Sequence, residues 1–479
     1  MLCENFAYPR LLRFFEEISA IPRPSYHEEK IADYLVSFAE SRGLEYYRDE
    51  LNNVLINLPA TEGREDTTPL LLQGHTDMVC EKNSGVDHDF LKQPLKLYEK
   101  DGWIRAENTT LGADNGVAVA VMLAVLDGAC DSHGPIQCLF TASEEVGLDG
   151  ASGFDYSRIY AEKMLNMDSA DESLIIAGCA GGMRSVIKLP INREKACGET
   201  LEIRIGGLAG GHSGEDIHRG RANANKLMGR TLNMIFSVLP EARLISVDGG
   251  TKENAIPREA TALISSEDRE GVISVCRELR DVILAELCDD DKGFFLTVET
   301  AESDLQPMTR ESGDRAIFLV FTIPNGVFEM NHKLPDVVEY SSNLGIVTTD
   351  ADSLCVSINS RSAQESRLDT SVAEIDAYAR ILCGVSDHYS RYPGWEYAPD
   401  SSIREDYTRA YRELLGNEPH VEVIHAGLEC GIIKKFLPDM DMLSCGPVVI
   451  NLHSPDEALN VSSFERFFAV VCRVIAHMN

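Results

Sequence analysis

Leu71-Leu72-Gln73-Gly74-His75-Thr76-Asp77-Met78-Val79 starts apolar and ends on an imidazole and a carboxylate. Two later segments repeat that plan: Thr110-Leu111-Gly112-Ala113-Asp114-Asn115-Gly116 and Leu139-Phe140-Thr141-Ala142-Ser143-Glu144-Glu145. Short apolar runs closed by turn residues read as buried strands, and open α/β sheets collect their ligands at the carboxyl ends of strands. Strands that end in His, Asp and paired Glu suit a metal site lined by imidazole and carboxylate. The stretch from Pro69 to Glu145 therefore points to a metal-dependent hydrolase.

Outward from that stretch the alternation continues. Upstream, two helical pieces between Pro9 and Ser41 are broken at Ile21-Pro22-Arg23-Pro24-Ser25, and a strand-rich segment runs from Leu44 to Leu58. Downstream, Val117 to Leu126 reads as a buried helix, with Asp114 in its first turn where the dipole favours an anion. A polar loop precedes it. Met164 to Met167 is a further strand, delivering Asp168. Strand and helix in alternation predict an α/β, doubly wound sheet.

Near Gly181-Gly182 the pattern changes to longer strands joined by long helices, which predicts an inserted α+β domain, and from Tyr392-Pro393-Gly394-Trp395 the first pattern returns. The expected division is 1–186 with 393–479 as one discontinuous domain and 187–392 as the insertion.

The chain has 44 basic and 77 acidic residues, a net charge of −33. Such a surface repels phosphate backbones and anionic membranes, so neither nucleic acid nor a membrane is an expected partner. There is no basic-then-apolar leader and no apolar run of roughly 20 residues, which predicts a cytoplasmic protein. Thirteen cysteines, scattered without a C-x-x-C, fit a reducing compartment.

His75, Asp114, Glu145, Asp168 and His453 offer two imidazoles and three carboxylates. If Asp114 bridges, each of two metals has three protein ligands, leaving room for water. Glu144 is then free to act as general base, and Asp77 to hold the other nitrogen of His75. Arg361 has the fork geometry to pair with a peptide's terminal carboxylate, against the competing reading of a surface ion pair. His212, in a glycine-rich turn, divides evenly between function and simple exposure.

The segments His75-Thr76-Asp77, Gly112-Ala113-Asp114-Asn115-Gly116, Glu144-Glu145-Val146-Gly147, Asn166-Met167-Asp168-Ser169 and His453-Ser454-Pro455-Asp456-Glu457 together resemble the signature of the M20 metallopeptidase family. Within it, Leu71 to Ser84, Ala106 to Gly116 and Ala426 to Gly431 are most similar to the aminoacyl-histidine dipeptidases. The resemblance implies a two-zinc catalytic domain with an inserted lid. His75 and Asp168 would bind one Zn2+, Glu145 and His453 the other, and Asp114 both, with Mn2+ or Co2+ also suited to these donors. It implies Glu144 as base, Asp77 as orienter, His212 at the scissile carbonyl, and Asn254, Arg361 and Gly427 as substrate-binding residues. The expected substrates are dipeptides, Xaa-His among them, and the expected assembly is a homodimer through the lid. A tripeptidase or an N-acyl-amino-acid deacylase would carry the same motifs, and a catalytically inactive binding homologue stands as the alternative from another class.

Overall fold

The computed structural model describes residues 2, 6–196 and 198–478. The chain divides into two compact units, one of Met1–Cys179, Trp395–Val423 and Leu428–Asn479, the other of Ala180–Gly394 and Ile424–Gly427. The N-terminal reading falls partly on Met1 and Cys3 to Asn5, outside the described residues, as does Cys197. The described cysteines are free thiols. No helix among the described residues is long and apolar enough to cross a membrane.

The first unit is built on an eight-stranded mixed sheet. Its strands are β1 (Glu45–Arg48), β2 (Val54–Leu58), β3 (Leu70–His75), β4 (Ile136–Thr141), β5 (Lys163–Asn166), β6 (Leu174–Cys179), β7 (His420–Ile424) and β8 (Asp441–Ser444), in the order β1-β2-β4-β3-β5-β8-β6-β7. The four central strands β4, β3, β5 and β8 are mutually parallel. They are buried on both faces, which is why they read as continuous apolar runs.

The helix Ala113–Leu126 is buried almost throughout. Its run of Val, Ala, Met and Leu has no polar face to turn to water. It packs so closely on β3 that a Cβ on Gly74 would stand 2.3 Å from the Ala118 Cβ. The core closes around it with Phe14, Phe15, Phe464, Phe467 and Phe468.

The segment expected as a polar loop before that helix contains a hairpin, Leu97–Lys100 with Trp103–Ala106. Trp103–Ala106 also pairs with Ala458–Asn460, in a small sheet completed by Val449–Ile450. Half-exposed strands of mixed polarity carry little apolar signal, and this pairing across some 350 residues is invisible locally.

The second unit is a nine-stranded antiparallel sheet. Its main path runs Phe295–Thr300, Glu199–Gly206, Ala260–Ser266, Arg243–Gly249, Val338–Thr349, Ser353–Ser362, Gly181–Pro190 and Val385–Tyr392, and Gly326–Met330 pairs beside Val338–Thr349. Helices Ala224–Val238, Arg269–Glu286, Arg310–Thr322 and Glu365–Ile381 bury one apolar stripe each. Met228, Leu232, Val272, Ile317 and Ile375 meet Ile203, Leu244, Ile264 and Val356 in one core.

Candidate metal centre

Three strands that are neighbours in the sheet deliver part of the site. His75 ends β3, Glu144 and Glu145 follow the end of β4, and Asp168 follows β5. The other two residues arrive differently from the strand-end expectation. Asp114 stands at the entry to helix Ala113–Leu126 with non-helical φ/ψ, as does Asn115. His453 lies in the loop after Val449–Ile450, at φ +58°.

All five converge. His75 Nε2 lies 3.0 Å from Asp114 Oδ1 and 3.5 Å from Asp168 Oδ1. His453 Nε2 lies 3.2 Å from Asp114 Oδ2 and 3.1 Å from Glu145 Oε1. Asp114 thus offers one oxygen to each of two imidazole–carboxylate pairs. Donor atoms of His75, Asp114 and Asp168 fall within 4.8 Å of one another, as do those of Asp114, Glu145 and His453, and those of His75, Glu144 and Glu145. Asn115 Nδ2 donates to Asp168 Oδ1 at 3.0 Å.

Four carboxyls around two imidazoles leave an excess of negative charge in a half-buried cleft. Burial opposes protonation of His75, but Asp168 beside it and hydrogen bonds to Asp114, Asp168 and Asp77 hold its pKa well above the ordinary histidine value. The hydrogen bonds to Asp114 and Glu145 push His453 up to about 10. Burial would raise Asp114, yet its two histidine partners hold it below the usual carboxylate range. Glu144, Glu145 and Asp168 are raised, in each case chiefly by burial. The cluster draws positive charge to the very nitrogens that would bind a cation, and imidazole nitrogen with carboxylate oxygen is the donor set of zinc-class ions. The residues fit a pair of divalent cations.

Asp77 is fully buried and ties the site together. Its Oδ1 is 3.3 Å from His75 Nδ1 and accepts the Glu144 N–H at 3.0 Å. Its Oδ2 accepts from the Ser25 hydroxyl at 2.7 Å and from the Glu145 N–H at 3.2 Å. An anion at Nδ1 keeps the proton there and leaves Nε2 as the donor lone pair.

Two charged residues of this shell escaped the sequence reading. Arg23 is 1% exposed, and its guanidinium donates to the carbonyls of Thr76 (2.9 Å), Asp77 (3.1 Å) and Gly112 (2.6 Å). Gly112, at φ +66°, leaves the room that Arg23 occupies, since a Cβ there would stand 2.6 Å from its Nη2. The available signal was an arginine flanked by two prolines at a helix break.

The carboxylate of Glu457 accepts the N–H groups of Leu111 (2.7 Å), Gly112 (2.9 Å), Ala113 (2.8 Å) and Asp114 (3.3 Å). The anion at this helix N-terminus is therefore Glu457 and not Asp114, whose side chain is freed to face the two histidines. Glu457 reaches the turn because Ala458–Asn460 pairs with Trp103–Ala106. Glu457→Gln would turn an amide NH2 toward backbone donors and lose about 3 kcal/mol or more of unfolding free energy, measured by denaturant titration.

The remaining candidates lie in the second unit. His212 sits in a two-residue pairing of Gly211–His212 with Ala255–Ile256, and the Ser213 N–H donates to the Asn254 carbonyl at 2.9 Å. The Glu215 N–H donates to His212 Nδ1 at 3.2 Å, which puts the ring proton on Nε2. Burial, helped by Arg361, lowers the His212 pKa, which favours the neutral ring.

Arg361 is 5% exposed, which rules out the surface ion pair; its Nη1 donates to the Tyr392 hydroxyl at 2.9 Å. Gly427 makes room for the same tyrosine, because a Cβ there would stand 2.7 Å from the Tyr392 ring. His425, which the sequence reading left without a role, is buried with Nε2 2.7 Å from Ser341 Oγ. Burial, then Arg361, pushes its pKa down to about 3.

The family model of Peptidase family M20/M25/M40 matches residues 71–477. The chain is 38% identical over 465 residues to the cytosol non-specific dipeptidase of Escherichia coli (strain K12), covering 96% of each. It is also similar to the crystal structure of aminoacylhistidine dipeptidase from Vibrio alginolyticus, at 36% identity and a TM-score of 0.92 over 99% of this chain and 98% of that one. Aminopeptidase PepT from Bacillus cereus ATCC 10987 shares the fold at 17% identity, with a TM-score of 0.56 over 98% of each chain. With its metal-type donor cluster and these full-length likenesses, the chain belongs to the M20 metallopeptidases, peptidase family M20/M25/M40.

Proposed function

We propose that the protein is a dinuclear metal-dependent dipeptidase that hydrolyses dipeptides with a free amino end, Xaa-His among them, in the cytoplasm. The observation that carries this reading is Asp114, whose two oxygens face two separate imidazole–carboxylate pairs. On it, His75 and Asp168 would hold one cation, Glu145 and His453 the second, and Asp114 would serve both. Zn2+ is the first candidate, and Mn2+ or Co2+ would accept the same donors. Such a pair, when bound, supplies Lewis acidity that lowers the pKa of water and polarises a carbonyl.

The chain's own groups do the rest. Glu144 takes the proton of the attacking water and returns it to the leaving amine. Asp77 keeps the His75 proton on Nδ1. His212 donates from Nε2 to the developing oxyanion, Arg361 pairs with the terminal carboxylate, and Asn254 and Gly427 complete the substrate contacts. The full-length likeness to proteins named as a cytosol non-specific dipeptidase and an aminoacylhistidine dipeptidase supports both the substrate class and the compartment. The family resemblance adds a homodimer joined through the second unit.

A panel of β-alanyl-histidine, an α-linked Xaa-His dipeptide, a tripeptide and an N-acetyl amino acid, assayed on the metal-loaded protein, tests the reading. The dipeptides should exceed the others in kcat/KM by about tenfold or more. Preference for the tripeptide or the acylated substrate would replace the dipeptidase with a tripeptidase or a deacylase.

A further inference from the structure

Beneath the metal-type donors of the first unit lies a buried polar cluster that the proposed chemistry does not use. Gln73, Thr141, Asn166 and Glu429 are each 0% exposed. Glu429 opens the helix Glu429–Phe436, Thr141 and Asn166 end β4 and β5, and Gln73 stands two residues before the end of β3. Gln73 Nε2 donates to Glu429 Oε2 at 2.5 Å and to Thr141 Oγ1 at 3.1 Å. The Thr141 hydroxyl donates to the same Glu429 oxygen at 2.8 Å. Gln73 Oε1 accepts from Asn166 Nδ2 at 2.6 Å.

The spacing gives the cluster its meaning. Gln73 precedes His75 by two residues and Asn166 precedes Asp168 by two, so in an extended chain each amide lies on the same side as the donor it precedes. Thr141 is the register partner of His75 and Gln73 that of Asn166. Glu144 and Glu145 follow Thr141 by three and four residues.

A side-chain amide has one accepting and one donating end. Because Glu429 Oε2 accepts, the NH2 of Gln73 must face it, which turns Oε1 toward the Asn166 donor. Remove that acceptor and the amide is free to flip, setting two NH2 groups against each other at Asn166.

We propose that Glu429 is a positioning residue for the cation site, acting through Gln73 and Thr141 to hold the three strand ends that carry His75, Glu144–Glu145 and Asp168. A role in stability alone explains it poorly. Its Oε1 has no hydrogen-bond partner, and burial pushes the carboxyl up to about 7. A buried acid of this kind costs more than an apolar side chain of similar volume. This inference rests on the proposed metal-binding function.

The test is Zn2+ affinity by competition with a chromophoric chelator, on the full chain, alongside the melting temperature of the metal-free protein. Glu429→Leu should bind Zn2+ about 10–100-fold more weakly, the usual cost of losing an outer-shell partner, with an unchanged or higher metal-free melting temperature. Glu429→Gln keeps one acceptor oxygen for both donors and should stay within about threefold of the parent.

Parental Zn2+ affinity in Glu429→Leu, or a loss in Glu429→Gln as large as in Glu429→Leu, overturns the proposal. So does an affinity loss that merely tracks a lowered metal-free melting temperature. Should Glu429→Leu fail to fold, the isosteric Thr141→Val decides: weakening by about fivefold or more supports the proposal, and unchanged affinity refutes it. A parent protein that takes up none of Zn2+, Mn2+ and Co2+ refutes the proposed function itself, and this inference with it.

Discussion

Glu144→Gln is expected to lower kcat by about 10²–10⁴-fold, the usual contribution of a positioned general base, while metal content stays at the parental level. The separation of the two effects follows from where the residue stands. Glu144 and Glu145 are adjacent, but the Glu145 carboxylate faces His453 at 3.1 Å, whereas burial and the neighbouring acids hold the Glu144 carboxyl well above its ordinary pKa. An amide in its place fills the same volume and leaves the Asp114, Glu145, Asp168, His75 and His453 donors intact. Elemental analysis beside steady-state kinetics reads both quantities. Full turnover in the variant would remove Glu144 from the mechanism, and lost metal would make it a ligand.

Asp114→Asn should have the second large effect, and of a different kind. Each oxygen of Asp114 serves one imidazole–carboxylate pair, and an asparagine presents a single weak acceptor and an NH2 that repels a cation. Metal retention should fall by more than the roughly 10–100-fold that an outer-shell change costs, and turnover with it.

Thermal unfolding supplies an independent readout. A bound cation at about 1,000 times its Kd adds roughly 4 kcal/mol to the parent, a rise in melting temperature of about 10 °C for a unit of this size. Chelator should reverse that rise in the parent and change Asp114→Asn little. Two ions retained by Asp114→Asn would show that the centre does not depend on a shared carboxylate.

How much of this was legible in the chain depends on the distance over which each signal acts. The strands β3, β4 and β5 announced themselves, because a strand buried on both faces is a local apolar run. Helix Ala113–Leu126 was equally plain from its small apolar residues. The hairpin Leu97–Lys100 with Trp103–Ala106 was not, since its strands mix exposed and buried side chains and its pairing partner lies near the C-terminus.

The same contrast holds for the site. His75, Asp114, Glu144, Glu145, Asp168 and His453 could be picked out because His, Asp and Glu at the ends of apolar runs are unusual local patterns, and because those patterns recur together in one family. Arg23, Glu457 and Glu429 could not, because each serves backbone groups or amides far away in sequence.

By itself, then, the sequence determined the α/β class and the order of the central elements and marked out the residues proposed as metal donors, all of which are local in periodicity or residue chemistry. Only the tertiary structure decided that Asp114 turns its two oxygens to different histidines, that Glu457 and not Asp114 satisfies the helix N-terminus, and that Gln73 and Thr141 meet on Glu429 while Asn166 donates to Gln73. Those are contacts between segments up to some 350 residues apart, where direction and distance are set by packing and hydrogen-bond satisfaction rather than by the neighbours in the chain.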